Sequence, residues 1–202
     1  MDGNQATYEV APQADERNRL TVGFRFILAI PHALLVGDPG FGIGIGSGRT
    51  GVLGAVADVC ALINWFIIVF TGRANKDLIN LQQFYLRWRA RAFAYEALLR
   101  DEYPPFGDGD YPVEAQFPSV SEGRNRWTVG FRFILIIPQI IVLFFILIAW
   151  VITGIIGWFA ILFTGRYPDG LWKFGEGAMR WVLRVEAYGL LLHDEYPPFS
   201  LE

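Results

Sequence analysis

Few side chains in this sequence could do chemistry. Its two histidines are His32 and His193. His32 follows Pro31 inside an apolar run, where an imidazole could ligate haem or a pigment, or relay protons. The same ring could instead hydrogen-bond a carbonyl freed by the proline. No zinc or haem-attachment spacing accompanies it, so His32 is the one cofactor-binding candidate and no metal site is expected. Asp58 and Asn64 interrupt a second apolar run. Intramembrane carboxylates are costly and tend to be functional, although Asp58 also lies close enough to the start of its run to reach water. Gly46-Ser47-Gly48-Arg49-Thr50-Gly51 has the letters of a dinucleotide fingerprint, but a strand before it and an acidic partner about 20 residues on are missing. The Asp-Glu pairs at 101–102 and 194–195 are each followed by Tyr-Pro-Pro-Phe. Adjacent carboxylates on such a backbone do not converge on one reacting atom. No P-loop, nucleophile elbow or zincin motif occurs. No catalytic residue and no cofactor is expected.

The distribution of apolar residues explains what these side chains are set into. The chain has 202 residues, 53% hydrophobic and 18% charged, which is apolar for a soluble protein. Phe133 to Phe163 contains no charged residue, and a run that long reads as a membrane segment. Met1 to Leu20 carries four acidic residues and no apolar core, unlike a secretory signal, so insertion is expected through internal segments. The single cysteine, Cys60, excludes an internal disulfide. A net charge of −3 speaks against nucleic acid as a partner.

The sequence is written twice. Arg17 to Pro31 (RNRLTVGFRFILAIP) returns as Arg124 to Pro138 (RNRWTVGFRFILIIP). Phe70-Thr71-Gly72-Arg73 returns as Phe163-Thr164-Gly165-Arg166, and Asp101 to Phe106 returns as Asp194 to Phe199. The first motif repeats at a larger spacing than the other two. Copy one therefore carries extra residues between Pro31 and Phe70, and the Gly-rich stretch 37–51 accounts for them. Because insertions are tolerated in loops, this predicts a loop in copy one and a tight turn near 144–154 in copy two.

The expected fold is an all-α membrane protein of two tandem repeats, 1–106 and 107–202. Each is a transmembrane or re-entrant helical hairpin (about 22–70 and 128–163) followed by an amphipathic interfacial helix (about 77–100 and 170–193). Of the 17 Lys and Arg residues, only Arg49 falls in a far-side loop. By the positive-inside rule both termini are expected in the cytoplasm, with four membrane segments. Pro31 and Pro138 should kink the first helix of each pair, and a shallow wedge in one leaflet is the alternative to full spanning. Thr7-Tyr8-Glu9-Val10 and Tyr111 to Phe117 alternate weakly and read as short strands.

Arg25 and Arg132, one turn into the first helices, could snorkel to headgroups or form a buried ion pair with Asp58 or an acid of the other module. In the amphipathic helices, Arg87, Arg89 and Arg91, and Arg180 and Arg184, are set against apolar faces that include Trp88 and Trp181. A basic face with aromatic residues suits anionic headgroups; the apolar stripe could equally pack on the protein's own hairpins. Arg73 and Arg166 in the Phe-Thr-Gly-Arg motifs complete the membrane-interface candidates.

Taken together, RNRxTVxFRxILxIP, FTGRYP, RWxLRVEAY and DEYPPF, present in copy two at 124–138, 163–168, 180–188 and 194–199, resemble the bacterial membrane family called domain of unknown function 4389. Ile30-Pro31-His32 keeps the family's usual Ile-Pro-His, and Ile137-Pro138-Gln139 departs from it; Arg73-Ala74-Asn75 departs from Arg-Tyr-Pro. The resemblance implies residence in a bacterial membrane, taken as the cytoplasmic membrane, and supplies no activity. The expected function is a non-enzymatic scaffold, lipid-interacting protein or accessory subunit, with the lipid bilayer, a second copy or a larger membrane complex as partner. A small transporter using Asp58 and the arginines, and a haem- or pigment-binding subunit, are the alternatives.

Overall fold

The computed structural model describes residues 5–13, 16–37 and 51–202. Arg49, most of the Gly-rich stretch and the fingerprint-like pattern at 46–51, apart from Gly51, lie outside them. In each copy an asparagine opens the helical part. The Asn18 side chain accepts from the amides of Leu20 and Thr21, and the Asn125 side chain from those of Trp127 and Thr128, the bonds a helix N-cap supplies. One-turn helices follow, α1 (Arg19–Gly23) and, in copy two, α5 (Arg126–Gly130).

Copy one then forms α2 (Arg25–Val36) and α3 (Gly51–Thr71). Copy two forms α6 (Arg132–Leu135) and α7 (Ile137–Thr164). The turn expected near 144–154 does not exist, because α7 runs through it unbroken for 28 residues. Nothing in Phe144 to Gly154 stops a helix except Gly154, which costs only about 1 kcal/mol in a helix interior. The extra residues of copy one fall inside the equivalent helix. The Gly37 amide still bonds the Ala33 carbonyl at 2.9 Å. Gly51, at φ +68°, begins α3 so close to the end of α2 that a Cβ there would lie 2.5 Å from the Leu35 carbonyl. Thus α2 and α3 are two halves of one helix, and each copy contributes one long apolar helix rather than a membrane hairpin. Among the described residues two helices, Gly51–Thr71 and Arg132–Thr164, are long and apolar enough to cross a membrane, in place of the four expected segments.

Helix α4 (Lys76–Glu96) and helix α8 (Asp169–Gly189) double back along these long helices. The turn between them uses left-handed Gly72 and Gly165. Contacts between α4 and α2–α3 run in antiparallel sense. Arg25 meets the Tyr95 and Arg100 carbonyls, His32 meets Trp88, Val36 meets Arg89, the Ala57 carbonyl meets Gln82, and Asn64 meets the Asn75 amide. The order holds across the break, which is why α3 stays in register with α2.

Two short strands, β1 (Thr7–Val10) and β2 (Val113–Gln116), pair antiparallel with Glu9 opposite Glu114. They add a small β element to a mostly helical fold. The ribbon lies on the side of α4 and α8 away from the long helices: Gln83, Arg87 and Arg91 reach the β2 side, while Gln82 and Trp88 face α3 and α2. The result is three layers, with the ribbon, the α4–α8 pair and the long helices in that order. One core joins them, including Tyr8, Val36, Ala57, Phe93, Leu143 and Met179.

The copies interlock. The Arg17 amide bonds the Gly165 carbonyl at 3.0 Å and the Arg124 amide bonds the Gly72 carbonyl at 3.1 Å. Trp65 donates to the Val129 carbonyl and Trp158 to the Val22 carbonyl, both at 3.0 Å. Each crossed pair maps onto the other by an approximate two-fold axis.

One divergence between copies is compensated. At the position of Asn64, copy two has Gly157, where any Cβ would overlap the Tyr167 ring; copy one has Ala74 in place of that tyrosine. Gly157→Ala should therefore destabilise the fold by about 1–3 kcal/mol through overpacking, and adding Tyr167→Ala should recover part of the loss. Thermal unfolding of the three variants in detergent checks this; additive losses would contradict it.

Candidate functional site

The strongest concentration of buried charge sits where the Arg-Asn-Arg motif meets the Asp-Glu-Tyr-Pro-Pro-Phe motif of the same copy. Two residues past the end of α4 stands Leu98 and two past α8 stands Leu191, both left-handed at φ 61° and 64°. That conformation is uncommon for a branched residue. It leaves the last carbonyls open, and arginines fill them. Arg17 donates to the Leu98 carbonyl at 2.6 Å and to Asp101 at 2.9 Å. Arg25 donates to the Arg100 carbonyl at 2.8 Å and to Asp101 at 2.6 Å, and lies 3.9 Å over the Tyr95 ring. The other carboxylate oxygen of Asp101 accepts the Asn18 amide at 2.9 Å. Copy two repeats the clamp with Arg124, Arg132, Asp194 and the Asn125 amide at 2.7, 2.8 and 3.0 Å, and with Arg132 3.7 Å over Tyr188.

Two guanidinium groups, a helix C-terminus and one carboxylate make a self-consistent set, since cations favour the negative end of a helix and buried charges require partners. Burial pushes the Asp101 and Asp194 carboxyls up, but hydrogen bonds and charge from the arginines outweigh it and hold both below the usual range. Arg25 and Arg132 therefore do not snorkel to headgroups. Their acid is neither Asp58 nor one from the other module but the aspartate of their own terminal motif. With both oxygens of each aspartate engaged by guanidinium and amide donors, the clamp is suited to fixing structure.

His32 and Gln139 occupy matching positions. The His32 Nδ1 accepts from Trp88 at 3.0 Å. The Gln139 Oε1 accepts from Trp181 at 2.8 Å, and its amide donates to the Pro197 carbonyl at 2.6 Å. Both are fully buried. Glutamine thus reproduces the acceptor of the imidazole, which explains the departure from Ile-Pro-His. His32 also stacks on Phe106 of the terminal motif with centroids 4.5 Å apart. Trp88 and Trp181, expected at the membrane interface, turn inward to these two residues.

The arginines of α4 and α8 are engaged within the chain. Arg89, expected on the polar face, is buried and forks onto Glu186 of α8. Its position between the two helices makes it the ion pair that joins the copies. Arg87 and Arg91 meet Asp108. Arg180 pairs with Glu176 and donates to the Tyr8 carbonyl, and Arg184 donates to the Ala6 carbonyl. Asn64 accepts the Asn75 amide at 2.8 Å. Asp58 is half-buried six residues before it. Arg73 and Arg166 are exposed. Among the described residues, no group of three or more His, Cys, Asp or Glu side chains gathers as a metal site would.

Sequence reasoning did not pair Arg17, Arg25 and Asp101, or their copies. The signal was present: two motifs with conserved-in-both-copies charges of opposite sign, each repeated once. A family model described as a domain of unknown function (DUF4389) matches residues 49–107 and 126–200. The chain belongs to this family, in two tandem copies. No curated protein and no solved structure matches it.

Three outcomes test the site. Asp101→Asn leaves two buried guanidinium groups short of a counter-charge and should cost about 3–5 kcal/mol of stability, read by denaturant unfolding; a loss under 1 kcal/mol would refute the clamp. His32→Gln should fold with near-native stability, as Gln139 does in copy two, whereas His32→Leu should lose about 1–3 kcal/mol by orphaning the Trp88 donor. The third concerns acid. Burial, together with Arg132 and Arg124, pushes the His193 imidazole down to about 4, against pulls from the Glu195 backbone and Asp194. The unfolded ring binds a proton near 6.5, so between these values the unfolded state holds more protons. Stability should then fall as pH drops from about 6.5 to about 4, by roughly 3 kcal/mol, and His193→Gln should flatten the pH dependence in that window.

Proposed function

We propose that the protein is a non-enzymatic membrane module that binds lipid and serves as a scaffold or accessory subunit. One observation carries this reading: the paired arginines and aspartates of the repeated motifs turn inward, while the outer faces of the long helices expose large apolar side chains and no charged one. Phe70 and Phe163 are 74% and 77% exposed and Trp127 is 78% exposed. A soluble monomer rarely leaves so continuous an apolar face in water. Residence in a bacterial cytoplasmic membrane, with both termini on the cytoplasmic side, belongs to the same reading. It is supported by Arg184 and Arg180, which hold the Ala6 and Leu201 carbonyls against α8, so that Ala6 and Leu201 both lie in the polar layers.

Gentle-detergent purification from native membranes, followed by mass spectrometry, visible absorbance and liposome flux, tests the proposal. The expected result is a colourless protein with co-purifying lipid or a stoichiometric partner and no flux of its own. Solute flux or turnover by the purified protein would replace the scaffold with a transporter or enzyme, and a haem or pigment band would make His32 a ligand.

A further inference from the structure

We propose that the long helices lie in the plane of one leaflet, so that the protein enters the membrane from one side without crossing it. The inference rests on the membrane reading above and adds how the bilayer is met.

Three observations favour it. The first is length. The 33 residues of Arg132–Thr164 rise about 50 Å, whereas the hydrocarbon core is about 30 Å thick. The second is what accompanies the helices. Because α4 and α8 run alongside them for most of their length, an upright helix would carry the polar layers into the bilayer. Arg87 and Asp108 lie near the midpoint of the α2–α3 pairing with side chains 37% and 47% exposed, and Glu9 and Glu114 at the ribbon centre are also exposed. All four would face lipid at the midplane, where charge is most costly. Laid flat, the same molecule puts every one of them in water.

The third is the symmetry of the ends. Exposed Arg19 and Arg166 sit at one end, beside exposed Leu20 and Phe163. Exposed Arg126 and Arg73 sit at the other, beside exposed Trp127 and Phe70. An upright molecule would place equal positive charge on both sides of the membrane, against the inward bias of basic residues. A flat molecule places all four arginines at the rim of one apolar face, where anionic headgroups and aromatic-rich interfaces meet.

Depth-resolved fluorescence quenching tests the orientation. In a Cys60→Ala background, single cysteines replace Phe133, Phe145 and Phe159 on the outer face of the α6–α7 helix and Glu114 on the ribbon. Each carries a bimane label, in vesicles of phosphatidylcholine and phosphatidylglycerol with nitroxide lipids of two depths. The expected result is one shallow depth for the three helix positions and no quenching at Glu114. A deep position at 145 with shallow ones at 133 and 159, or quenching at Glu114, would overturn the flat orientation and leave membrane residence standing. No quenching at any position would overturn both. All four sites are exposed, and near-native circular dichroism of each labelled variant keeps misfolding out of the comparison.

Discussion

An aspartate shared between two arginines governs this fold. Asp101 and Asp194 each tie the start of a copy to its end, across the whole intervening chain. The arginines also occupy the carbonyls that a left-handed helix end leaves open. A buried pair of guanidinium groups is tolerable only with a carboxylate held ionised between them, so neither motif is stable without the other. The consequence is geometric. Once the end of α4 is fixed at the start of α2, helices α2–α3 and α4 must run antiparallel, and α7 and α8 likewise.

That constraint also decides where polarity goes. Trp88 with His32, Trp181 with Gln139 and Arg89 with Glu186 satisfy one another between the long helices and the α4–α8 pair. These polar side chains are thereby held in packing contacts. What is left outward is apolar on one face and charged on the opposite one, a division that a flat interface between water and lipid satisfies without further partners.

Much of this was legible in the sequence and some was not. The duplication, the two amphipathic helices and the short strands follow from repeats and periodicity, and β1 and β2 formed where alternation indicated. Neither membrane hairpin formed. Uninterrupted apolar residues from Ile137 to Phe163 carry no mark that separates one long helix from two short ones, and an insertion in copy one suggested a loop where there was a helix. Periodicity likewise placed Arg89 on a polar face, because its acid lies on α8, about a hundred residues away, beyond the reach of any local pattern. Arg25 and Asp101 were each visible as repeated charges, but their pairing is a tertiary fact.

The crossed contacts between copies carry a consequence for origins. The leading segment of each copy docks on the Phe-Thr-Gly-Arg turn of the other, through the Arg17 and Arg124 amides and through Trp65 and Trp158. A chain with a single copy would present both halves of that contact with nothing to receive them, and two such chains would satisfy each other by the same two-fold operation. Fusion of the copies converts a symmetric dimer into one polypeptide. It fixes the stoichiometry at two and frees each half to drift separately, as His32 has from Gln139 and Asn64 from Gly157.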